Sequence, residues 1–219
     1  MNTLTKLALG LMGQIKARPP VGDPATTITL SPPAENGGMP LMRALWRRQS
    51  QREFLPKPLT KKNLSGVLWA AAGINRPELG GRTAPSAMTA QEVQLYAALP
   101  DGLFRYEPKA HELRLAAALD VRRVTGYQDF VDDAALDLIY VADHTRMKLV
   151  PAAQREAYAF AAAGAMAQNV YLYCASEGLA TVVRGWFDRH ALSQAMGLGT
   201  DQQLLLAQTV GSVRESAKA

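Results

Sequence analysis

The spacing of apolar and polar residues predicts an N-terminal arm followed by one folded domain. Residues 1–18 carry a short apolar stretch between basic residues, which is typical of an amphipathic helix or arm. Residues 19–40 contain six prolines and cannot be helical throughout. Within this segment, residues 26–30 are rich in β-branched side chains, which favours an added edge strand. The arm is therefore predicted over residues 1–39, and the domain over residues 40–219.

Later segments have the periodicity or the end signals of helices. Thr60 and Asp188 are good N-caps, because their side-chain oxygens can accept hydrogen bonds from free backbone N–H groups of a first turn. Gly73 and Gly178 follow two apolar periodic stretches and are expected helix stops. The helices are predicted over residues 40–48, 60–73, 112–124, 151–177 and 188–196.

Apolar runs between turn residues predict the strands. Residues 93–99 and 103–106 flank a Pro-Asp-Gly turn, as in a β-hairpin. Residues 136–142 are almost entirely apolar, as expected of a central strand buried on both faces, and residues 204–211 form a last apolar strand. Helices interleaved with antiparallel-prone strands predict an α+β sandwich with a central, mostly antiparallel sheet flanked by helices.

Charge and cysteine content narrow the function classes. The 219-residue chain carries a net charge of +5, and its basic residues are scattered rather than arranged in a stripe. An anionic small molecule or cofactor is therefore as good an explanation as nucleic acid, and no nucleic-acid partner is predicted. The single cysteine, Cys174, cannot form an internal disulfide and is expected to be buried. No Cys/His cluster has the spacing of a metal site.

The N-terminal apolar stretch bears on localisation. It is short for the apolar region of a signal peptide and too short to span a bilayer. We therefore expect a cytoplasmic protein without a membrane partner. Periplasmic export by a degenerate N-terminal signal is the alternative.

Two stretches suggest a binding site. Arg48, Ser50 and Arg52 form an Arg-x-Ser-x-Arg pattern, and two guanidiniums with a hydroxyl suit a small, doubly charged anion such as phosphate. A solvated basic face is the alternative. Residues 80–89 are rich in small side chains, so their backbone could approach a flat ligand closely, although an ordinary turn would look the same.

The order of these motifs resembles the nitroreductase family. The resemblance extends over about residues 40–211 and rests on the Arg-x-Ser-x-Arg motif, then residues 68–76, then the Arg-Thr-Ala-Pro-Ser-Ala run at 82–87. The hairpin at residues 101–113 resembles the SagB-type dehydrogenase branch in particular. The resemblance implies an FMN-dependent oxidoreductase with a nitroreductase-like sandwich fold. It also implies an intertwined homodimer that holds one flavin in each of two interfacial clefts, in which the arm at residues 1–39 could clasp the partner subunit.

The resemblance also implies roles for individual residues, each as a cofactor-binding position. The segment that holds the FMN phosphate corresponds to Arg48, Ser50 and Arg52, and basic C-terminal residues that also reach the phosphate correspond to Arg214 and Lys218. The loop that the partner subunit lays against the isoalloxazine ring corresponds to Pro85, Ser86 and Ala87.

Four further positions correspond to contacts with the flavin ring. Thr89 stands where the family often has Asn, at the place of a ring or ribityl hydrogen bond, and Gln128 corresponds to a side chain that reaches the pyrimidine edge. Arg184 and Gly185 correspond to the segment near N5 and O4 of the ring. Arg184 could stabilise a reduced, anionic flavin or bind an acidic substrate, and a surface arginine at the end of a strand is the alternative.

Three functions follow from these patterns. The first is hydride transfer from NADH or NADPH through FMN to a nitroaromatic, a quinone or a similar small acceptor. The second is a SagB-type dehydrogenase that oxidises azoline rings in a modified peptide. The third is a non-enzymatic basic binding module. The sequence contains no nucleophile–base pair that requires covalent catalysis, so the chemistry is expected to reside on the flavin.

Overall fold

A computed structural model describes residues 2–214 of the chain. Its five α-helices are α1 (Thr3–Leu11), α2 (Leu41–Arg47), α3 (Lys61–Ala72), α4 (Ala152–Glu177) and α5 (Arg189–Met196). Its nine strands are β1 (Thr27–Thr29), β2 (Ile74–Arg76), β3 (Gly81–Arg82), β4 (Val93–Leu99), β5 (Gly102–Glu107), β6 (Glu112–Ala117), β7 (Leu136–Asp143), β8 (Leu179–Arg184) and β9 (Gln202–Ser212). Lys218 lies outside the described residues.

Seven of the strands form one sheet in the order β1-β6-β5-β4-β7-β9-β8, and every neighbouring pair is antiparallel. The short strands β2 and β3 pair separately. Seven of the eight residues of β7 are buried, as predicted for a central strand. The α+β sandwich with an antiparallel sheet is thus confirmed.

Helices cover both faces of this sheet. Alternate residues of β7 point to opposite faces, as the pleat of a strand requires. One set packs with α3 and α4, and consists of Leu136, Leu138, Tyr140 and Ala142. The other set, Ile139 and Val141, packs with Leu192 of α5 and with Ile15 of the arm. Both faces of the sheet are therefore covered, which leaves little freedom to the strands that carry predicted site residues.

Helix α4 lies close to its neighbours because its inward side chains are small. Ala159 and Ala163 are fully buried, and Cys174 is a buried free thiol as predicted. The helix ends at Gly178, whose φ of 69° is readily adopted by glycine. Asp188 and Thr60 cap α5 and α3 through their side-chain oxygens, as predicted from the sequence.

The helix predicted over residues 112–124 is wrong. The structure has strand β6 there, followed by a short 3₁₀ turn at Arg122–Val124. Leu113 is buried and Arg114 is exposed, so the segment alternates with a strand period. His111, at a φ of 49°, completes the tight turn that folds β6 back onto β5. Its ring lies within hydrogen-bond distance of the Tyr106 hydroxyl, at 2.8 Å, so this histidine has a structural role in the hairpin.

The N-terminal arm packs on the domain of its own chain. Strand β1 was predicted as an edge strand, and it is the edge strand beside β6. Strand β1 therefore pairs with β6 of its own chain along one of its two edges. Helix α1 buries Lys6, which bonds the Asp132 carboxylate and the Gln128 carbonyl. Of the helices within residues 2–214, none combines the length and apolarity needed to cross a membrane.

The close packing of α4 predicts that enlarging a side chain on its buried face destabilises the protein more than the same change on its exposed face. Ala163→Leu should lower the free energy of unfolding by about 1–3 kcal/mol, because added methylenes in a filled core force strain. Ala153→Leu, at an exposed position of the same helix, should change it by less than about 0.5 kcal/mol. Urea unfolding followed by circular dichroism measures both, and equal effects would contradict the packing described here.

Candidate active site

The Arg-x-Ser-x-Arg segment leaves α2 and runs along the outer strand of the sheet. The Gln51 N–H donates to the Thr181 carbonyl of β8 at 3.0 Å. Two residues beyond the motif, Phe54 forms an isolated antiparallel bridge with Val213, just after β9. The motif is therefore held against β8 and against the end of the last strand, rather than lying on a free loop.

A tyrosine of α4 orders the first half of the motif. The Tyr171 hydroxyl lies 2.8 Å from Ser50 Oγ and accepts a hydrogen bond from the Val183 N–H of β8 at 2.9 Å. The Arg48 guanidinium carbon lies 5.4 Å from the centroid of the Tyr171 ring, within cation–π range. Sequence analysis missed Tyr171, because a tyrosine in an apolar helix has the pattern of an ordinary core residue.

The second half of the motif opens into a cleft of about 520 Å³. Arg52 and Arg214 both line it, since the Arg214 N–H bonds the Glu53 carbonyl and brings the chain end beside the motif. Phe54 and Phe130 pack against each other within its wall, with their ring centroids 5.3 Å apart and their planes tilted by 46°. The structure thus brings Arg214, expected from the sequence to assist phosphate binding, to the same cleft as Arg52.

Gln128 and Arg184 meet over Gly126. A Cβ at Gly126 would lie 2.1 Å from Arg184 Nη1 and 2.7 Å from Gln128 Oε1, so any larger residue would displace them. Gln128 Oε1 is buried and has no hydrogen-bond partner within residues 2–214. Because a buried acceptor without a donor is costly, this oxygen is suited to accept a hydrogen bond from a ligand.

Arg184 forms an ion pair in the interior. It is 7% exposed, and its Nη2 donates to Asp137 Oδ1 at 2.7 Å and to Thr209 Oγ1 at 2.8 Å. Burial lowers the pKa of Arg184, and the Asp137 carboxylate opposes that shift by favouring the charged form. The surface arginine considered as the alternative for Arg184 is therefore wrong.

The ion pair with Asp137 also changes what Arg184 can do. Its charge is largely compensated, so its field at a bound ring is weaker than that of an isolated cation. Arg184 Nε is buried and has no partner within residues 2–214. A role beside the ring stays a prediction, as it does for the exposed Gly185 that follows.

The loop after β3 holds a strained backbone. Met88, Thr89 and Gln91 adopt φ values of 52°, 56° and 49°, which non-glycine residues rarely do. Ser86 Oγ accepts a hydrogen bond from the Gln91 N–H at 2.7 Å and closes the loop. Such strain persists where the surrounding structure over-determines it, and it is common at functional sites.

This loop is anchored away from the motif. Thr83 Oγ1 donates to the Trp69 carbonyl at the end of α3, and Asn169 of α4 donates to the Thr83 carbonyl. Within residues 2–214 no hydrogen bond joins Pro85–Ala87 to Arg48–Arg52. The motif therefore runs beside β8, Gln128 lies against Arg184 at the end of that strand, and the Pro-Ser-Ala loop is anchored separately.

Comparison with known proteins identifies the family to which this chain belongs. The sequence model of the nitroreductase family matches residues 45–212. This chain belongs to the nitroreductase family. The match contains every predicted site residue except Arg214 and Lys218, and it spans the sheet from β4 to β9.

Individual relatives agree with that membership. A nitroreductase homologue of Methanocaldococcus jannaschii is 34% identical over 161 residues, which are 65% of this chain and 77% of the homologue. The crystal structure of a nitroreductase homologue from Ralstonia eutropha JMP134 is 51% identical, with a TM-score of 0.88 over 92% of this chain and 96% of that one. The NADPH:FMN oxidoreductase of Vibrio harveyi, solved with NAD⁺, shares the fold at 20% identity, with a TM-score of 0.59 over 82% and 71% of the two chains.

The buried ion pair gives a testable prediction. Asp137→Asn should lower the free energy of unfolding by about 3–5 kcal/mol, because it leaves the Arg184 guanidinium buried without its counter-charge. Asp133→Asn removes an equal charge from an exposed position nearby and should change the free energy of unfolding by less than about 0.5 kcal/mol. Chemical denaturation measures both, and a small effect of Asp137→Asn would show that the pair is not a structural requirement.

Proposed function

We propose that this nitroreductase-family chain is an FMN-dependent oxidoreductase that transfers hydride from NADH or NADPH through FMN to a small acceptor. Nitroaromatics and quinones are the acceptor classes proposed. Family membership supports an oxidoreductase. The observation that carries the cofactor assignment is that one strand, β8, has a phosphate-type motif along its outer edge and, beside its last residue Arg184, a buried amide oxygen without a hydrogen-bond partner in residues 2–214.

The motif suits the phosphate end of FMN. Arg48 and Arg52 supply charge and donors in a geometry that matches phosphate oxygens, and Ser50 supplies a hydroxyl. Tyr171 limits the freedom of Ser50 and Arg48, so less conformational entropy is lost on binding. Arg214 would add a further cation at the same cleft, whose wall also includes the acidic residues Glu53, Asp129, Asp132 and Asp133.

The opposite end of the flavin suits Gln128. The pyrimidine edge of the isoalloxazine ring carries an N–H donor, and Gln128 Oε1 is a buried acceptor without a partner. Gly126 keeps the space above this oxygen free of a side chain. The residues present therefore fit FMN at both of its polar ends.

When bound, FMN would supply the redox chemistry by accepting a hydride at its ring and passing electrons onward. The residues of this chain would bind and orient the cofactor and adjust its electrostatics. The Arg184–Asp137 pair would contribute a largely neutral, polarised group to the site, with Arg184 Nη2 fixed by two acceptors. The NADPH:FMN oxidoreductase of Vibrio harveyi supports the choice of a pyridine nucleotide as electron donor.

A homodimer is part of this proposal. The Pro85–Ala87 loop would reach the flavin of a partner subunit, which is consistent with the absence of hydrogen bonds between this loop and the motif within residues 2–214 of one chain. Helix α2 supports this proposal, because it carries exposed apolar side chains directly before the motif. These are Leu41, Met42, Leu45 and Trp46, of which Trp46 is 86% exposed. Large exposed apolar patches mark interaction surfaces.

The SagB-type alternative stays a hypothesis that rests on the hairpin motif at residues 101–113. It predicts oxidation of an azoline-containing peptide, whereas the main proposal predicts turnover of small acceptors with NADH or NADPH. Assaying both substrate classes with the same flavin-loaded preparation separates the two. The basic binding module predicts a colourless protein without a flavin absorbance spectrum.

The phosphate assignment predicts a loss of cofactor affinity. Arg52→Ala should weaken FMN binding about tenfold or more, since each bond to a charged group contributes about 1.5–3 kcal/mol. Arg48→Ala should act in the same direction. Quenching of flavin fluorescence during titration of the apoprotein measures the dissociation constant.

Lys57→Ala is the matched control, because it removes an exposed cation five residues beyond Arg52. Its FMN affinity should equal that of the wild type. Equal retention of FMN by the wild type and by an Arg48→Ala/Arg52→Ala double variant after gel filtration would contradict the assignment.

The dimer proposal predicts that Trp46→Asp yields monomers with weakened FMN binding, because a charge at an apolar interface is costly to bury. Leu4→Asp, on an exposed face of α1, should leave the dimer intact. Light scattering coupled to gel filtration measures the mass, and flavin absorbance measures the stoichiometry. A monomeric wild type that holds one FMN per chain would overturn the dimer proposal.

A further inference from the structure

A second cluster of arginines lies away from the proposed phosphate site. It lines a cavity of about 270 Å³ where β4 begins and where β5 and β7 end. Its wall includes three arginines, two acidic residues and an amide, which are Arg82, Arg105, Arg146, Glu107, Asp143 and Gln94. None of these residues was predicted from the sequence to be a cofactor ligand.

The charges in this cavity are only partly compensated. Arg105 is paired with Glu107 at 2.6 Å. The Asp143 carboxylate accepts hydrogen bonds from Gln94 Nε2 at 3.2 Å and from the Thr145 N–H at 3.1 Å. Neither Arg82 nor Arg146 forms an ion pair with a carboxylate of residues 2–214. Two guanidiniums therefore line one cavity without a paired counter-charge.

Arg82 is the more constrained of the two. Its Nη1 donates to the Val93 carbonyl at 3.2 Å, whereas its Nε is buried without a hydrogen-bond partner in the described part of the chain. Burial lowers the pKa of Arg82, and the nearby charge of Arg146 lowers it further. The buried Glu92 and the paired Glu107 act in the opposite direction, each with a smaller effect. The guanidinium is thus desolvated beside a like charge.

We propose that this cavity binds a phosphate-type oxyanion between Arg82 and Arg146. Planar guanidiniums match the oxygens of such an anion, and the anion would compensate both cations while accepting a bond from the free Arg82 Nε. The polar side chain of Gln94 offers a further donor at the wall. An oxyanion can neutralise these two neighbouring cations, whereas a neutral ligand cannot.

The two arginines also connect the ends of the strained loop. Arg82 lies in β3, directly before the loop, and Arg146 Nη1 donates to the Gln91 carbonyl at the loop's far end at 2.9 Å. An anion held by both side chains would therefore bridge the segment that carries Pro85–Ala87. Any effect of the anion on flavin chemistry rests on the proposed function, whereas its binding does not.

A phosphate group bound in this cavity could come from two sources. One is free inorganic phosphate, and the other is the 2′-phosphate of NADPH. If the nucleotide is the source, Arg146→Gln should raise the KM for NADPH and leave the KM for NADH unchanged, and inorganic phosphate should compete with NADPH. If free phosphate is the source, neither KM should depend on Arg146.

The binding test uses the full-length, flavin-loaded protein and inorganic phosphate in isothermal titration calorimetry. Arg146→Gln and Arg82→Gln should each weaken phosphate binding about tenfold, the loss expected for one charge-assisted contact. Arg146 is exposed, so its variant should fold normally. Arg114→Gln loses the same charge one strand away, outside the cavity, and should bind phosphate like the wild type.

A further variant separates this site from the proposed FMN site. Arg48→Ala/Arg52→Ala should retain the phosphate binding that Arg146→Gln loses, whatever its affinity for FMN. A wild type that does not bind phosphate at millimolar concentration would overturn the proposal. Equal affinities of the wild type, Arg82→Gln and Arg146→Gln would overturn it as well.

Discussion

The candidate site depends on one buried ion pair. Arg184 at the end of β8 bonds Asp137 of β7 and Thr209 of β9, so one guanidinium ties together three strands that are adjacent in the sheet. The same side chain donates to the Thr125 carbonyl and fixes the segment that carries Gln128. Buried charges are stable only with partners, and this requirement places the segment against the sheet with little freedom. The geometry around Gln128 follows from that constraint.

Helix α4 provides the second support. Its small inward side chains let it lie close to the sheet, and Tyr171 then reaches both β8 and the Arg-x-Ser-x-Arg motif. Because the motif also bonds β8 through its backbone, two independent contacts hold Ser50 and its neighbours. A site on a short connecting segment thereby gains the rigidity of a helix and a sheet, which favours an ordered ligand geometry.

Several elements were predictable because their signals are local. Thr60 and Asp188 cap helices, Gly178 ends one, and the Pro-Asp-Gly turn closes a hairpin, each through contacts within a few residues. The segment after His111 was not predictable in the same way. Its alternation is short, and its pairing with β5 on one side and with the distant β1 on the other decided that it is a strand. Non-local pairing overrode a weak helical pattern there.

The sequence by itself determined the fold class, the order of most elements, the phosphate-type motif and, through the resemblance, the residues expected around a flavin. Tertiary structure decided which of these residues meet: Gln128 with Arg184 over Gly126, and Arg52 with Arg214 in one cleft. It also decided that Arg184 is paired with Asp137, 47 positions away, and that Arg82 and Arg146 line one cavity. Spacing along a chain reports neighbours within one element, whereas charge compensation and burial depend on side chains from distant elements, which only the folded chain brings together.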